Sequence, residues 1–102
     1  MYIYKILSEQ AWQESQKLGL IPPQKLDTNF IHLCKQEQID KIVEKFYDNE
    51  PEIIIAKIDT NKLSGNLIEE VNPGGTTKYF HLYDGKIPIA SVVETKPYSK
   101  LC

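Results

Sequence analysis

The chain carries two histidines, and they stand in closely similar surroundings: Phe30-Ile31-His32-Leu33 and Tyr79-Phe80-His81-Leu82-Tyr83. An imidazole titrates near neutral pH, so it suits proton transfer, and it also holds hydroxyls and phosphates. Side chains alternate between the two faces of a β-strand. Written that way, Phe30, His32 and Cys34 share one face, and Ile31 and Leu33 the other. In the second segment Tyr79, His81 and Tyr83 share a face, with Phe80 and Leu82 turned away. The aliphatic faces enter a core. The imidazole faces are then free to line a cleft, where Tyr79 and Tyr83 offer flat surfaces to an aromatic ligand. A site shared by both rings requires them to lie within about 10 Å of each other. The competing reading makes His32 a half-buried ring bonded to a carbonyl, and His81 part of a cross-strand aromatic ladder that stabilises the sheet without a ligand.

Three further groups have chemistry to offer. Glu69 and Glu70 are adjacent, so alternation sends one to solvent and the other toward the cleft. Lys5 could grip a diphosphate or an acidic substrate, although a surface lysine on an edge strand is the stronger reading. Cys34 falls where the N-cap of the next helix is predicted, and a helix N-terminus stabilises a thiolate. His32 and Cys34 lie on one strand, an arrangement with poor geometry for proton transfer between them. A zinc site built on His32, Cys34 and His81 lacks a fourth ligand and the usual spacing, so no metal is expected.

The strands and helices that carry these residues follow from pattern. Residues 2–7 are β-branched and aromatic and read as a strand. Ser8 is a good N-cap for a helix over 9–18, which Trp12 and Leu18 would pack and Gly19 would end. Residues 22–29, opened by Pro22-Pro23, form a loop. Residues 30–33 form a short strand. Ile39, Ile42, Val43, Phe46 and Tyr47 then recur at helical spacing, which predicts a helix over 35–48, with Glu37 completing a capping box. The apolar run 53–56, continued to Asp59, reads as a central strand buried on both faces. Strands near 67–72 and over 79–83 follow, joined by a turn at Asn72-Pro73-Gly74-Gly75. Asp84-Gly85 marks a tight turn from which 87–93 returns as another strand. Residues 94–102 read as a loosely held tail. The order strand, helix, strand, helix, then several strands predicts one α+β domain over 1–102, with two helices packed on a mainly antiparallel sheet.

Composition narrows the function. A chain of 102 residues with 41% hydrophobic and 25% charged residues suits one globular domain. Its net charge is −2 and every basic residue is lysine, which gives no basic stripe interleaved with aromatics, so a nucleic-acid partner is not expected. No segment approaches the ~18 apolar residues of a membrane span, and the amino terminus does not read as a secretory signal. Cys34 and Cys102 form no disulfide framework, so a cytoplasmic setting is expected.

Taken in order, Tyr4-Lys5-Ile6, Trp12, Phe30-Ile31-His32-Leu33, the apolar strand ending in Asp59, Glu70 ahead of Gly74-Gly75, and His81-Leu82-Tyr83 resemble domain-of-unknown-function family 952. The resemblance runs from residue 4 to about residue 93. It implies a compact version of the ADP-ribosyltransferase fold, a split sheet around a cleft that holds NAD or an ADP-ribosyl compound. Ile31-His32-Leu33 and the strand ending in Asp59 are also similar to the RNA 2′-phosphotransferase branch of that fold. On this resemblance His32, Glu70 and His81 would be catalytic, with Glu70 bonding a ribose hydroxyl and stabilising an oxocarbenium-like state. Tyr4, Lys5, Cys34, Tyr79 and Tyr83 would hold a nucleotide-like cofactor such as NAD. Two other function classes stay open: a non-catalytic small-ligand module on the same cleft, and a protein-interaction domain with a structural histidine core.

Overall fold

The computed structural model describes residues 1–47, 52–72 and 74–98. Among the described residues, eight strands and two α-helices follow in the order β1 (Tyr2–Ser8), α1 (Glu9–Leu18), β2 (Leu20–Ile21), β3 (Ile31–Leu33), α2 (Ile39–Phe46), β4 (Ile53–Asp59), β5 (Asn66–Val71), β6 (Lys78–Tyr83), β7 (Ile87–Pro88) and β8 (Val92–Pro97). Every strand pair is antiparallel. The strands form two three-stranded sheets, ordered β1-β4-β8 and β3-β6-β5, and a small pair, β2-β7.

The central sheet is sandwiched between the helices. On β1, Ile3 and Leu7 enter one core cluster, which also holds Ala56 and Ile58 of β4, Ile31, Leu33 and Leu82, and packs Ala11 and Trp12 of α1. Ile6 of β1, with Ile53 and Ile55 of β4, faces the other way and meets Ile39 and Val43 of α2. The two-sided burial predicted for 53–59 is the consequence. The first helix starts where expected. Ser8 Oγ accepts from the Ala11 N–H at 3.1 Å, and Gly19, at φ +80°, closes the C-terminus. Leu18, expected in the packing, is instead 62% exposed.

Four expectations change. Cys34 is not a helix N-cap. A 3₁₀ turn over Gln36–Gln38 precedes α2, and Lys35 sits at its start, its N–H donating to Gln38 Oε1 at 2.9 Å. Gln38 therefore takes the part expected of Glu37, and the described helix ends at Phe46. Residues 87–93 do not return beside β6. Ile87-Pro88 pair with Leu20-Ile21, a strand pair missed within the α1 connection. Beyond it, β8 crosses to β4, with Ile54 opposite Pro97 and Lys57 opposite Glu94. Residues 94–97, expected in a loose tail, are thus paired, and 99–102 lie outside the described residues. The turn at 72–75 is closed by the Gly75 N–H on Asn72 O at 2.8 Å, with Pro73 outside the described residues. At the opposite end of β6 the chain crosses itself closely: a Cβ on Gly85 would stand 2.1 Å from Ser64 O. No described helix is long and apolar enough to cross a membrane.

Candidate functional site

The two three-stranded sheets meet at one residue pair. Tyr4 N donates to Cys34 O at 2.8 Å, and Cys34 N to Tyr4 O at 2.9 Å. Past this bridge β1 and β3 diverge. Two residues back from Cys34, His32 turns its N–H and C=O toward the same side, where a continuous sheet would supply partners on β1. Side chains supply them instead. Lys5 Nζ donates to His32 O at 2.9 Å, and the His32 N–H donates to Asp27 Oδ1 at 2.9 Å. On the opposite lip, Tyr47 Oη donates to Ile6 O at 3.3 Å. Buried backbone polar groups have to be paired, and this pairing lets the sheet part without leaving those groups bare.

Asp27 is the centre of this arrangement. Its Oδ1 accepts from His32 N and, at 2.8 Å, from His32 Nδ1; its Oδ2 accepts from Lys5 Nζ at 2.8 Å and from Gln24 N at 2.8 Å. Burial alone would push its carboxyl up, but the His32 ring, Lys5 and the Gln24 N–H outweigh burial and hold it at about 2. Lys5 is 3% exposed, so the surface-lysine reading is overturned. Burial pushes the Lys5 ammonium below its ordinary range, and Asp27 opposes that shift.

The split opens into a cleft of about 630 Å³. One wall is α2 with Lys41, Lys45 and Phe46; the 24–30 loop, Asn72 and residues 74–77 form others, and Tyr4, Lys5, His32, Cys34 and Tyr79 line it from the strands. His32 keeps 37% of its side chain exposed there, and with Nδ1 donating to Asp27 it presents Nε2 to whatever enters.

His32 and His81 are direct cross-strand partners, with ring centroids 5.4 Å apart and planes at 70°. The proximity expected of a shared site is met; the common lining is not. His81 is 1% exposed, covered by Phe30, whose ring stacks on it at 3.9 Å. His81 Nδ1 bonds Glu70 Oε2 at 2.8 Å, and Tyr83 Oη donates to the same carboxylate oxygen. Those bonds, Tyr83's first and then His81's, hold the Glu70 carboxyl below its ordinary range, and the hydrogen bond to Glu70, with burial and the Glu70 charge behind it, raises the Tyr83 hydroxyl. Glu69 goes to the other face, as alternation requires, and pairs with Lys35 at 2.6 Å. His81, Glu70 and Tyr83 therefore lie behind Phe30, outside the cleft lining that holds His32, Tyr4, Lys5, Cys34 and Tyr79. Cys34 is no thiolate: burial pushes its thiol up to about 12, against the nearby Lys5 charge, and Sγ rests 3.6 Å from Tyr4 O. Among the described residues no group of three or more His, Cys, Asp or Glu side chains could hold a metal ion.

Sequence reasoning missed Asp27. Its signal was faint: an acidic residue in an irregular loop, five positions before a histidine, with no periodicity to mark it as buried.

The fold recurs in solved structures. The crystal structure of protein CC0527 from Caulobacter crescentus is 25% identical, over 97% of this chain and 87% of that one, with a TM-score of 0.83. The solution NMR structure of CC0527 is 26% identical over 93% and 82%, with a TM-score of 0.78. No curated protein matches the chain. The model of one family, described as a protein of unknown function (DUF952), matches residues 6–95, nearly the whole of the domain built around the split, and the chain belongs to that family.

Proposed function

We propose that the split between β1 and β3 binds a nucleotide-like small molecule of the NAD or ADP-ribosyl class, on a fold similar to that of the ADP-ribosyltransferases. One observation carries the reading: an imidazole locked through Nδ1 onto a buried carboxylate stands at the edge of a cleft large enough for such a ligand. Tyr4, Tyr79 and Phe46 supply flat surfaces for a base, and Lys41 and Lys45 supply cations for a diphosphate.

A second observation favours binding over NAD cleavage. The carboxylate assigned by resemblance to stabilise an oxocarbenium-like state, Glu70, is committed to His81 and Tyr83 and is not among the cleft-lining residues. The reading is therefore of a ligand-binding module that leaves the nicotinamide bond intact. Titration of the ¹⁵N-labelled protein with ADP-ribose, NAD and AMP tests it. Amide and imidazole shifts centred on His32, Thr76, Thr77 and Tyr79 are expected, with no nicotinamide released. Nicotinamide release would make the protein an enzyme of NAD cleavage. The absence of shifts with all three ligands would remove the nucleotide reading and leave the protein-interaction domain.

A further inference from the structure

We propose that His32 and His81 are a general acid–base pair that cleaves a phosphodiester bond of a nucleotide held in the cleft. The proposal rests on the nucleotide reading of the cleft and adds a reaction to it.

The two imidazoles are held alike. Each imidazole bonds a carboxylate through Nδ1 at 2.8 Å, His32 to Asp27 and His81 to Glu70. A carboxylate in that position fixes the proton on Nδ1 and leaves Nε2 as the atom that exchanges protons. Two rings so prepared lie side by side across one strand pair, their centroids 5.4 Å apart. His81 Nε2 is buried and has no hydrogen-bond partner among the described residues. A buried polar atom without a partner is costly and calls for an explanation. An oxygen of a bound substrate would supply the partner that the chain does not.

Access runs past Phe30. Its ring stacks on His81 and also approaches His32, at 4.8 Å, and Tyr83, at 5.2 Å. Phe30 lies just outside the ladder of β3, at the end of an irregular loop, so its side chain can swing aside without breaking the β3–β6 pairing. The cover moves; the two histidines stay on their strands.

The reaction class follows from which groups are free. Both carboxylates are occupied in orienting imidazoles, so neither is placed to attack a sugar carbon, and Cys34 is a neutral buried thiol. What remains are two proton carriers and, on the cleft wall, the cations Lys41 and Lys45. Such a set suits attack by an oxygen that the protein does not supply, at an anionic phosphorus. One imidazole takes the proton of an attacking water as the new P–O bond forms. The other, entering as imidazolium, gives its proton to the leaving oxygen as the old P–O bond breaks. One phosphodiester and one water become one phosphomonoester and one alcohol, with no change of oxidation state. Proton exchange with solvent restores both rings.

The probe is 2′,3′-cyclic AMP, incubated with the full chain and analysed for opened monophosphate, while the ¹⁵N spectrum reports binding. Turnover with a bell-shaped pH profile is expected. His32→Asn and His81→Asn each keep a side-chain amide near the carboxylate but cannot titrate; each should lower the rate by about 10²–10⁴-fold and abolish one limb of the bell. Should His81→Asn fail to fold, Glu70→Gln serves in its place. It is a half-exposed, isosteric change that removes the negative charge from the oxygen held by His81 Nδ1, and it should cost at least about tenfold and displace a limb. Binding without turnover, or turnover unaltered in rate and profile by these variants, would overturn the acid–base pair while leaving the nucleotide site. Absence of binding would overturn the site itself, and the pair with it.

Discussion

Asp27→Asn is the sharpest test of how the split is held. Four donors converge on the two carboxylate oxygens: His32 N and Nδ1 on one, Lys5 Nζ and Gln24 N on the other. The isosteric amide has one oxygen and one NH₂ group, so either orientation faces two donors with another donor. It also leaves the Lys5 ammonium buried without its counter-charge. Breaking a buried ion pair by removing one partner costs about 3–5 kcal/mol. At about 4–8 °C per kcal/mol for a domain of this size, even the lower figure lowers the melting temperature by about 12–24 °C. The pH dependence gives a second signature. With its folded value near 2, against an ordinary value of 3.8, the wild-type Asp27 carboxylate contributes about 2 kcal/mol. A lowered acid stabilises the fold above its unfolded value, so this contribution is complete above about pH 5 and is lost as pH falls through 2. The variant lacks that acid limb. Its Lys5, already lowered by burial and now without Asp27, binds fewer protons folded than unfolded, so the variant should gain stability as pH rises toward 9. Urea denaturation at pH 3, 5, 7 and 9 measures all of this. A loss under about 1 kcal/mol at pH 7, or parallel pH curves for the two proteins, would show that the Asp27 charge does not hold the split.

Three other outcomes are expected. Cys34 should resist iodoacetamide at pH 8 in the folded protein and react once the chain is denatured, since its thiol is pushed up to about 12; peptide mapping reads the site, and native labelling at Cys34 would contradict its placement. Glu70→Gln should bring the ultraviolet titration of Tyr83 down toward the ordinary phenol range, because the hydrogen bond to the Glu70 carboxylate is the largest cause of its rise, ahead of burial and the Glu70 charge. Gly85→Ala should destabilise the fold by more than about 2 kcal/mol in thermal or denaturant unfolding, since its Cβ would stand against Ser64 O and the Gly65 Cα, both backbone atoms.

What could be read from the chain was local. Ser8 and Gly19 delimit α1 because a hydroxyl acceptor and an easily reached positive φ act within a few residues. The faces of β3 and β6 were legible because alternation has period two, whereas the register that sets His32 opposite His81 was not. What stayed hidden was non-local. Nothing in Ile87-Pro88 says that Leu20-Ile21 is its partner, and an Asp-Gly pair mimics the hairpin signal even though here the next strand leads to another sheet. Lys5 was misplaced because a lysine in a strand is read as solvent-facing unless a buried anion awaits it, and that anion, Asp27, lies 22 residues away. The cover over His81 was equally illegible: Phe30 shares its strand's imidazole face, but only the tertiary pairing sets its ring upon the other histidine.

The interruption in the sheet also constrains inheritance. An unbroken ladder asks nothing of side chains, because the amides of neighbouring strands satisfy one another. Here the amide and carbonyl of position 32 depend on the particular residues at positions 27 and 5. Those three positions must drift together. A lineage that discards the acid at 27 must also find a neutral successor for the lysine and a new donor and acceptor for the strand, or close the gap between the two halves and forfeit the hollow that the parting creates.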